Sequence, residues 1–349
     1  MTLVLKINPH SPEPDLIAQA AACLVEGKLV AFPTETVYGL GGNALDPRAV
    51  ERIFIAKGRP FQDPLIVHIA GLTMLELVVW DAPEVAYQLA EHFWPGPLTL
   101  ILPRHANIPP SVSAGLDTVA VRMPDHPIAC ALIEQAGVPV AAPSANRFGR
   151  TSPTSAEHVL ADLAGRIALV LDGGSPLVGL ESTVLDVTQS PPVILRPGGV
   201  SLEQLVAVLG EVRLRGEPSI QVASKAMPSP GMLARHYAPR ATLILFEGEN
   251  ASQVRLRMRS QAKALLADGR RVGVLAVDED AEDFRDLGIQ LAALGSTSDL
   301  SQVAHRLYAA IRELDAAGVE FILARSYGTQ GLGLAILDRL RRAASQVVS

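Results

Sequence analysis

Strand-length apolar runs alternate with helical stretches through the first two-thirds of the chain, and this alternation restricts the fold more than any other feature. "VLKINP", "KLVAFP", "LIVHIA", "LTLILP", "TVAVRMP", "VPVAAPS", "IALVLDGG", "STVLDV" and "VILRPGG" read as strands. Between them lie "SPEPDLIAQAAACLVEG", with Ser11 as cap and Gly27 as stop, and "LDPRAVERIFIAKG", with Asp46 as N-cap and Pro47 in the first turn. "APEVAYQLAEHFW", "PIACALIEQAG", "TSAEHVLADLAG" and "SLEQLVAVLG" are further helices, and Thr154 and Glu157 have capping-box spacing. "TETVYGLGG" reads as a turn. Some gaps between strands hold a crossover helix and others only a hairpin. That mixture predicts an α/β domain on a twisted mixed sheet.

At 349 residues the chain is long for one core and predicts two domains. Residues 1–211 form the first. Residues 212–240 lack either periodicity and are rich in Pro, Gly and Ser, the composition of a linker. In 241–349, "ATLILF", "RVGVLAV" and "EFILAR" are apolar strands separated by helical stretches, which predicts a smaller Rossmann-like domain with a parallel sheet. "DEDAED" at 278–283 reads as a solvated loop. There is no internal repeat.

Charge narrows the function classes. Residues 1–232 carry 15 Lys and Arg against 22 Asp and Glu, a net −7, while the remainder is +1. A generic binder of nucleic-acid backbone would be basic. Cys23 and Cys130 are the only cysteines, so neither a disulfide framework nor a structural zinc site is expected, and a reducing cytoplasm fits. No apolar run is long enough to span a bilayer, and the start shows no basic region followed by an apolar one.

Several strand ends carry polar residues that packing does not require. Thr34, Glu35, Thr36 and Tyr38 follow a buried strand; Arg122 ends another, as a surface residue or as a clamp for a carboxylate. Ser144 and Asn146 lie in a loop after an apolar strand, as donors for phosphate oxygens or as a capped turn. Glu181, Ser182 and Thr183 begin a strand, and Arg196 ends one before a Pro-Gly turn. "KGRPFQDPLIVH" sets Lys57 and Arg59 at a helix C-terminus with Gly58 as its stop, where basic residues also suit the dipole. His68, at the end of "LIVH", reads as a satisfied core histidine ahead of a functional one. In α/β sheets ligands collect beyond strand ends, so Lys57, Arg59, Arg122 and Arg196 would converge on one crevice. Four cations with Ser, Thr and Asn donors suit a nucleotide plus an amino acid. There is no G-x-x-x-x-G-K-[ST], no G-x-S-x-G, and no metal-ligand spacing of histidines.

"FPTETVYGLG", "KGRPFQDPLIVHI", "WPGPLTLIL", "TVAVRMPDHP", "AAPSAN…SPT", "GLESTVLDV" and "ILRPGG", in this order, resemble the YrdC-like domain of threonylcarbamoyl-AMP synthases. "SPGMLARHYAP" resembles the linker of the two-domain form, and the C-terminal part its Rossmann-like extension. The resemblance implies an ATP-dependent nucleotidyltransferase. Threonine and bicarbonate or CO2 give a carbamate that attacks the α-phosphate, yielding threonylcarbamoyl-AMP and pyrophosphate, and other proteins then modify tRNA. It implies Mg2+ with ATP, no organic cofactor, no membrane, a cytoplasmic location and at most a weak RNA contact. It assigns Lys57, Arg59, Ser144 and Asn146 to catalysis and to ATP. Asp63, Thr118, Ser152, Arg196, His236 and Tyr237 are also placed on the nucleotide, and Thr34, His68, Arg122, Ala142 and Ser182 on threonine. The family commonly has Asn where this chain has Asp63, and a carboxylate there repels a triphosphate unless Mg2+ or Arg59 intervenes.

Two other readings fit the same residues less well. An RNA-binding module would use the same cationic crevice, but the acidic balance and the lack of aromatic repeats oppose it. A carbamoyltransferase-associated relative would bring acylphosphatase-like and zinc-finger segments, which this chain lacks.

Overall fold

The computed structural model describes residues 1–216, 227, 229 and 236–349. Two compact units emerge: Met1–Phe148 with Ser152–Leu177 and Glu181–Met232, and Gly149–Thr151 with Val178–Leu180 and Leu233–Ser349. No helix among the described residues is long and apolar enough to cross a membrane.

The first unit is built on eleven strands: β1 Leu3–Lys6, β2 Val30–Pro33, β3 Tyr38–Asn43, β4 Ile66–His68, β5 Leu98–Pro103, β6 Thr118–Arg122, β7 Val140–Ala141, β8 Leu169–Asp172, β9 Thr183–Asp186, β10 Val193–Arg196 and β11 Arg213–Leu214. Their order is β1-β8-β2-β3-β7-β4-β6-β5-β9-β10-β11. The pairs β1/β8, β2/β8, β4/β6, β5/β9 and β10/β11 are parallel and the others antiparallel, so the sheet is mixed as expected.

Period-two alternation divides the side chains between two faces. Ala31, Val67, Leu100, Val121, Ala141 and Leu185 point into the main core with Ile53 and Phe54 of the helix Pro47–Lys57. On the opposite face, Val30, Phe32, Val140, Leu169 and Leu171 are covered by the helices Pro14–Val25 and Pro127–Ala136. Farther along that second face stand His68 and Arg122, beside a small apolar patch of Ile66, Ile101, Ala120, Val184, Val193 and Leu195.

Local readings of the sequence fare unevenly. Asp46 caps the helix Pro47–Lys57 by accepting from the Arg48 amide at 2.9 Å, and Gly58 ends it in the left-handed region, both as expected. Ser11 does not cap the first helix: the Asn8 carboxamide takes the amides of His10 and Ser11, and the helix starts at Pro14 after Glu13. Ser155, not Thr154, caps the helix Ala156–Leu163. The expected turn "TETVYGLGG" is a turn only to Val37, and Tyr38–Asn43 is β3, paired with β2. Its glycines serve packing, since a Cβ on Gly41 would lie 2.7 Å from the Phe32 ring and 2.9 Å from Val140. "VPVAAPS" shrinks to the two residues of β7.

The second unit holds a five-stranded, all-parallel sheet in the order β14-β13-β15-β12-β16. Its strands are β12 Thr242–Phe246, β13 Val272–Val277, β14 Gln290–Gly295, β15 Phe321–Arg325 and β16 Gln346–Val348. The fold class predicted for this part holds, although β14 and β16 have no counterpart in the sequence reading: β14 is half exposed and β16 is three residues long. "DEDAED" is not a solvated loop. It contains the helix Asp278–Ala281, and Asp280 is fully buried. Both oxygens of Asp280 accept from Arg325 at the end of β15, at 2.6 and 3.1 Å, and the guanidinium lies 4.9 Å from the Tyr327 ring.

Truncating one member of a buried ion pair strands the other. Asp280→Ala is therefore expected to cost about 3–5 kcal/mol in urea unfolding. A loss below about 1 kcal/mol would show that Arg325 finds other compensation.

Candidate functional site

Three groups of side chains gather in the first unit, at strand ends, in the loops beside them and at one helix C-terminus. The first centres on Arg122, the last residue of β6. It is 3% exposed and so is not a surface residue. Nη1 donates to the Thr36 hydroxyl at 2.9 Å, Nε to the Gly96 carbonyl at 3.2 Å, and Nη2 lies 2.5 Å from Glu35 Oε1. Thr36 and Glu35 belong to the turn between β2 and β3. That turn is held by the Thr34 hydroxyl, which donates to the Val37 carbonyl at 2.7 Å and accepts the amides of Thr36 and Val37.

Parallel pairing of β4 with β6 sets His68 level with Arg122 on the same face. His68 is buried and its Nδ1 has no hydrogen-bond partner, so it is not a satisfied core histidine. Burial, and then the Arg122 charge, pull its pKa down to about 3, which leaves the imidazole neutral near pH 7. Ala142 follows β7, with its amide on the Ile66 carbonyl at 2.9 Å.

The second group surrounds Ser182, just ahead of β9. Its hydroxyl lies 2.7 Å from that of Thr99 on β5, and its carbonyl accepts Arg196 Nε and Nη2 at 3.2 and 2.9 Å. The Pro-Gly turn after Arg196 presses directly on this backbone: a Cβ on Gly198 would stand 2.3 Å from the Ser182 carbonyl carbon. Ser152 donates to Glu181 Oε1 at 2.6 Å.

The third group joins the end of the helix Pro47–Lys57 to the loop after β7. Lys57 is 2% exposed and its ammonium donates to the carbonyls of Ser144 and Asn146 at 2.5 and 2.6 Å. The Lys57 carbonyl accepts the Phe148 amide, so the loop is tied at two points. Burial, and then the Arg59 charge, hold the Lys57 pKa well below its usual value, while Asp63 and Asp162 act the other way. Arg59 donates to the carbonyls of Asp63 and Pro64 at 3.0 and 2.7 Å, and its Nη2 lies 2.9 Å from Asp63 Oδ1. Asp63 is thus in contact with Arg59, one of the two partners named for it.

Thr118 stands apart. It opens β6, four residues before Arg122 on the same face, and thus about 13 Å away along the strand. His236 and Tyr237 belong to the second unit. Tyr237 is buried with its ring 5.7 Å from Tyr308 and 5.2 Å from the Arg339 guanidinium, and His236 packs edge-on against it at 4.1 Å. Residues 230–235 of "SPGMLARHYAP" lie outside the described residues. Glu35, Thr36 and Glu181 stand out in the sequence as polar residues at strand ends but without a ligand, while Thr99, inside the apolar run "LTLILP", carries no signal there. Among the described residues no three His, Cys, Asp or Glu side chains gather as a metal site.

The neutral His68 gives a signed test. Because its pKa is lowered, the unfolded chain takes up a proton first as pH falls, and stability present above about pH 6.5 is lost below it. Between pH 7 and 5 a His68→Asn variant should lose about 2 kcal/mol less than the parent, about 1.4 kcal/mol for each pH unit below 6.5. Parallel losses in urea titrations would show that His68 titrates normally.

A family model described as "Telomere recombination" matches residues 22–198, and one described as "Threonylcarbamoyl-AMP synthase, C-terminal domain" matches residues 200–345. The chain is 47% identical over 345 residues to the threonylcarbamoyl-AMP synthase of Pyrococcus abyssi, covering 98% of each. It is 49% identical over 340 residues to that of Bacillus subtilis, covering 97% of this chain and 95% of the relative. The crystal structure of P. abyssi Sua5 complexed with L-threonine superposes with a TM-score of 0.91 at 45% identity over 99% of both chains. With both segments matched in order and the likeness running the length of the chain, this protein belongs to the threonylcarbamoyl-AMP synthase family, in its two-domain form.

Proposed function

We propose that the chain makes L-threonylcarbamoyl-AMP from L-threonine, bicarbonate or CO2, and ATP, releasing pyrophosphate, for the modification of tRNA adenosine. The observation that carries this reading is the buried guanidinium of Arg122, fixed by Thr36 and Gly96 beside a neutral His68 with an unpartnered Nδ1. Such a donor set suits a small carboxylate with further polar groups, and the P. abyssi relative was crystallised with L-threonine. Thr34, Ala142 and Ser182 complete the threonine side.

Ser144, Asn146, Ser152, Thr118 and Arg196 are assigned to the nucleotide, as are His236 and Tyr237 on their match to the linker motif. Lys57 has three ammonium protons and spends two on the Ser144 and Asn146 carbonyls. The third is available to a phosphate oxygen, whose charge would favour the protonated lysine. Adenylyl transfer needs positioning and charge stabilisation more than covalent help. The carbamate oxygen attacks the α-phosphorus, the bond to the bridging oxygen breaks, and pyrophosphate leaves. Arg59 is drawn toward Asp63, which supports reading the acid at this position as neutralised by its neighbour rather than turned on the triphosphate. Mg2+ would arrive with ATP on the phosphates, and no residue is assigned to it. The activity would be cytoplasmic, with other proteins performing the transfer to tRNA.

The direct test is incubation with ATP, threonine, bicarbonate and Mg2+, followed by mass spectrometry. Absence of both threonylcarbamoyl-AMP and pyrophosphate would refute the reading. Lys57→Ala should cost about 2–4 kcal/mol of transition-state stabilisation, seen in kcat/KM. It should also lower the melting temperature, since two buried carbonyls lose their donor; turnover within a few-fold of the parent would remove Lys57 from the phosphate site. Arg122→Lys replaces a planar fork by a point charge and should weaken threonine binding far more than ATP binding. Equal losses by calorimetry would take Arg122 out of the threonine subsite.

A further inference from the structure

Glu35 is a carboxylate at 2% exposure, and nothing in the reaction so far uses it. Burying such a charge is costly unless it is paired and hydrogen-bonded. Glu35 is paired but not hydrogen-bonded. Its Oε1 lies 2.5 Å from Arg122 Nη2, yet neither carboxylate oxygen makes a directed hydrogen bond, and neither does Nη2. Arg122 spends Nη1 and Nε on Thr36 and Gly96. The pair is therefore neutral as a whole, yet Nη2 and both carboxylate oxygens keep hydrogen-bonding capacity that no directed bond takes up. A carboxylate kept only to neutralise Arg122 would be expected to engage it through directed bonds, as Asp280 engages Arg325 in the second unit.

We propose that Glu35 accepts the α-ammonium of the amino-acid substrate, so that a zwitterion is read by a buried pair of opposite sign, Arg122 for the carboxylate and Glu35 for the ammonium. This rests on the assignment of the Arg122 group as the threonine subsite. A zwitterion placed there takes up that capacity on both residues at once and adds no net charge to a buried place. The acceptor is held in advance, because the Thr34 hydroxyl binds the amides on the far side of Glu35 and fixes the turn that carries it. The pair would reject small carboxylates without an ammonium, which leave the Glu35 oxygen buried and unmatched.

The test compares two ligands by calorimetry: L-threonine and the α-hydroxy acid of the same skeleton, in which a hydroxyl replaces the ammonium. The parent chain should prefer threonine by at least about tenfold. Glu35→Gln should weaken threonine on the order of thirtyfold, while the hydroxy acid binds as before or tighter, because Arg122 has lost its competing anion. A merely structural role would weaken both ligands alike, and that result, or threonine retained within about twofold, overturns the proposal. Should Glu35→Gln fail to fold by circular dichroism, the parent's preference decides, and equal affinity for the two ligands overturns it. A parent chain that binds neither ligand refutes the threonine subsite itself, whereas threonine binding that is indifferent to the ammonium refutes only Glu35.

Discussion

Arg59, Arg122, Arg196 and Lys57 are each no more than 7% exposed, and a charge taken that far from water persists only where other groups replace its hydration. Backbone carbonyls do much of this work. Lys57 rests on two, Arg59 on two, Arg196 on the carbonyl of Ser182, and Arg122 on that of Gly96. Carboxylates add to it at Glu35 and Asp63. The need to supply such acceptors shapes the loops: the chain around Ser144–Asn146 folds so that its carbonyls face the ammonium, and the turn after β2 folds so that Glu35 and Thr36 reach the guanidinium. Positive charge is thus set in rigid surroundings before any substrate arrives, the arrangement that phosphoryl-centre chemistry favours.

The sheet decides where this happens. Helices Pro14–Val25 and Pro127–Ala136 cover the second face over β1, β8 and β2. Over β4 to β10 the same face carries His68, Arg122 and the small apolar patch instead. Parallel pairing of β4 with β6 and of β5 with β9 brings His68 level with Arg122, and Thr99 within reach of Ser182. A one-residue slip in either pair would turn these side chains into the apolar core. The second unit uses the same economy at its own strand ends, where Arg325 and Asp280 neutralise one another.

Much was legible in the chain. Period-two runs and their spacing were enough for the α/β class, the mixed sheet of the first unit and the parallel sheet of the second, because apolar burial imposes those periods directly. Glycine and proline punctuation placed the helix Pro47–Lys57 with both of its caps. Ordered motifs carried the family and therefore the reaction class. The readings that failed were local competitions. Asn8 turns the chain where Ser11 was expected to cap the first helix, Ser155 rather than Thr154 caps the helix Ala156–Leu163, and Gly41 of "YGLGG" leaves room for Phe32 and Val140.

What the sequence by itself determined is most of the strands and helices, which residues are cationic or hydroxylic at strand ends, and the family to which their order belongs. Which of those charges meet was decided only by the tertiary structure. Glu35 and Arg122 are 87 residues apart in number, as are Lys57 and Ser144, and neither pairing follows from any local pattern. Asp280 looked like one acid in a solvated run until β13 and β15 came to lie side by side and set Arg325 against it. The reason is physical: backbone periodicity is a short-range property, whereas the pKa of His68, the neutralisation of Arg122 and the geometry of the Lys57 loop depend on the dielectric and the partners that distant segments bring.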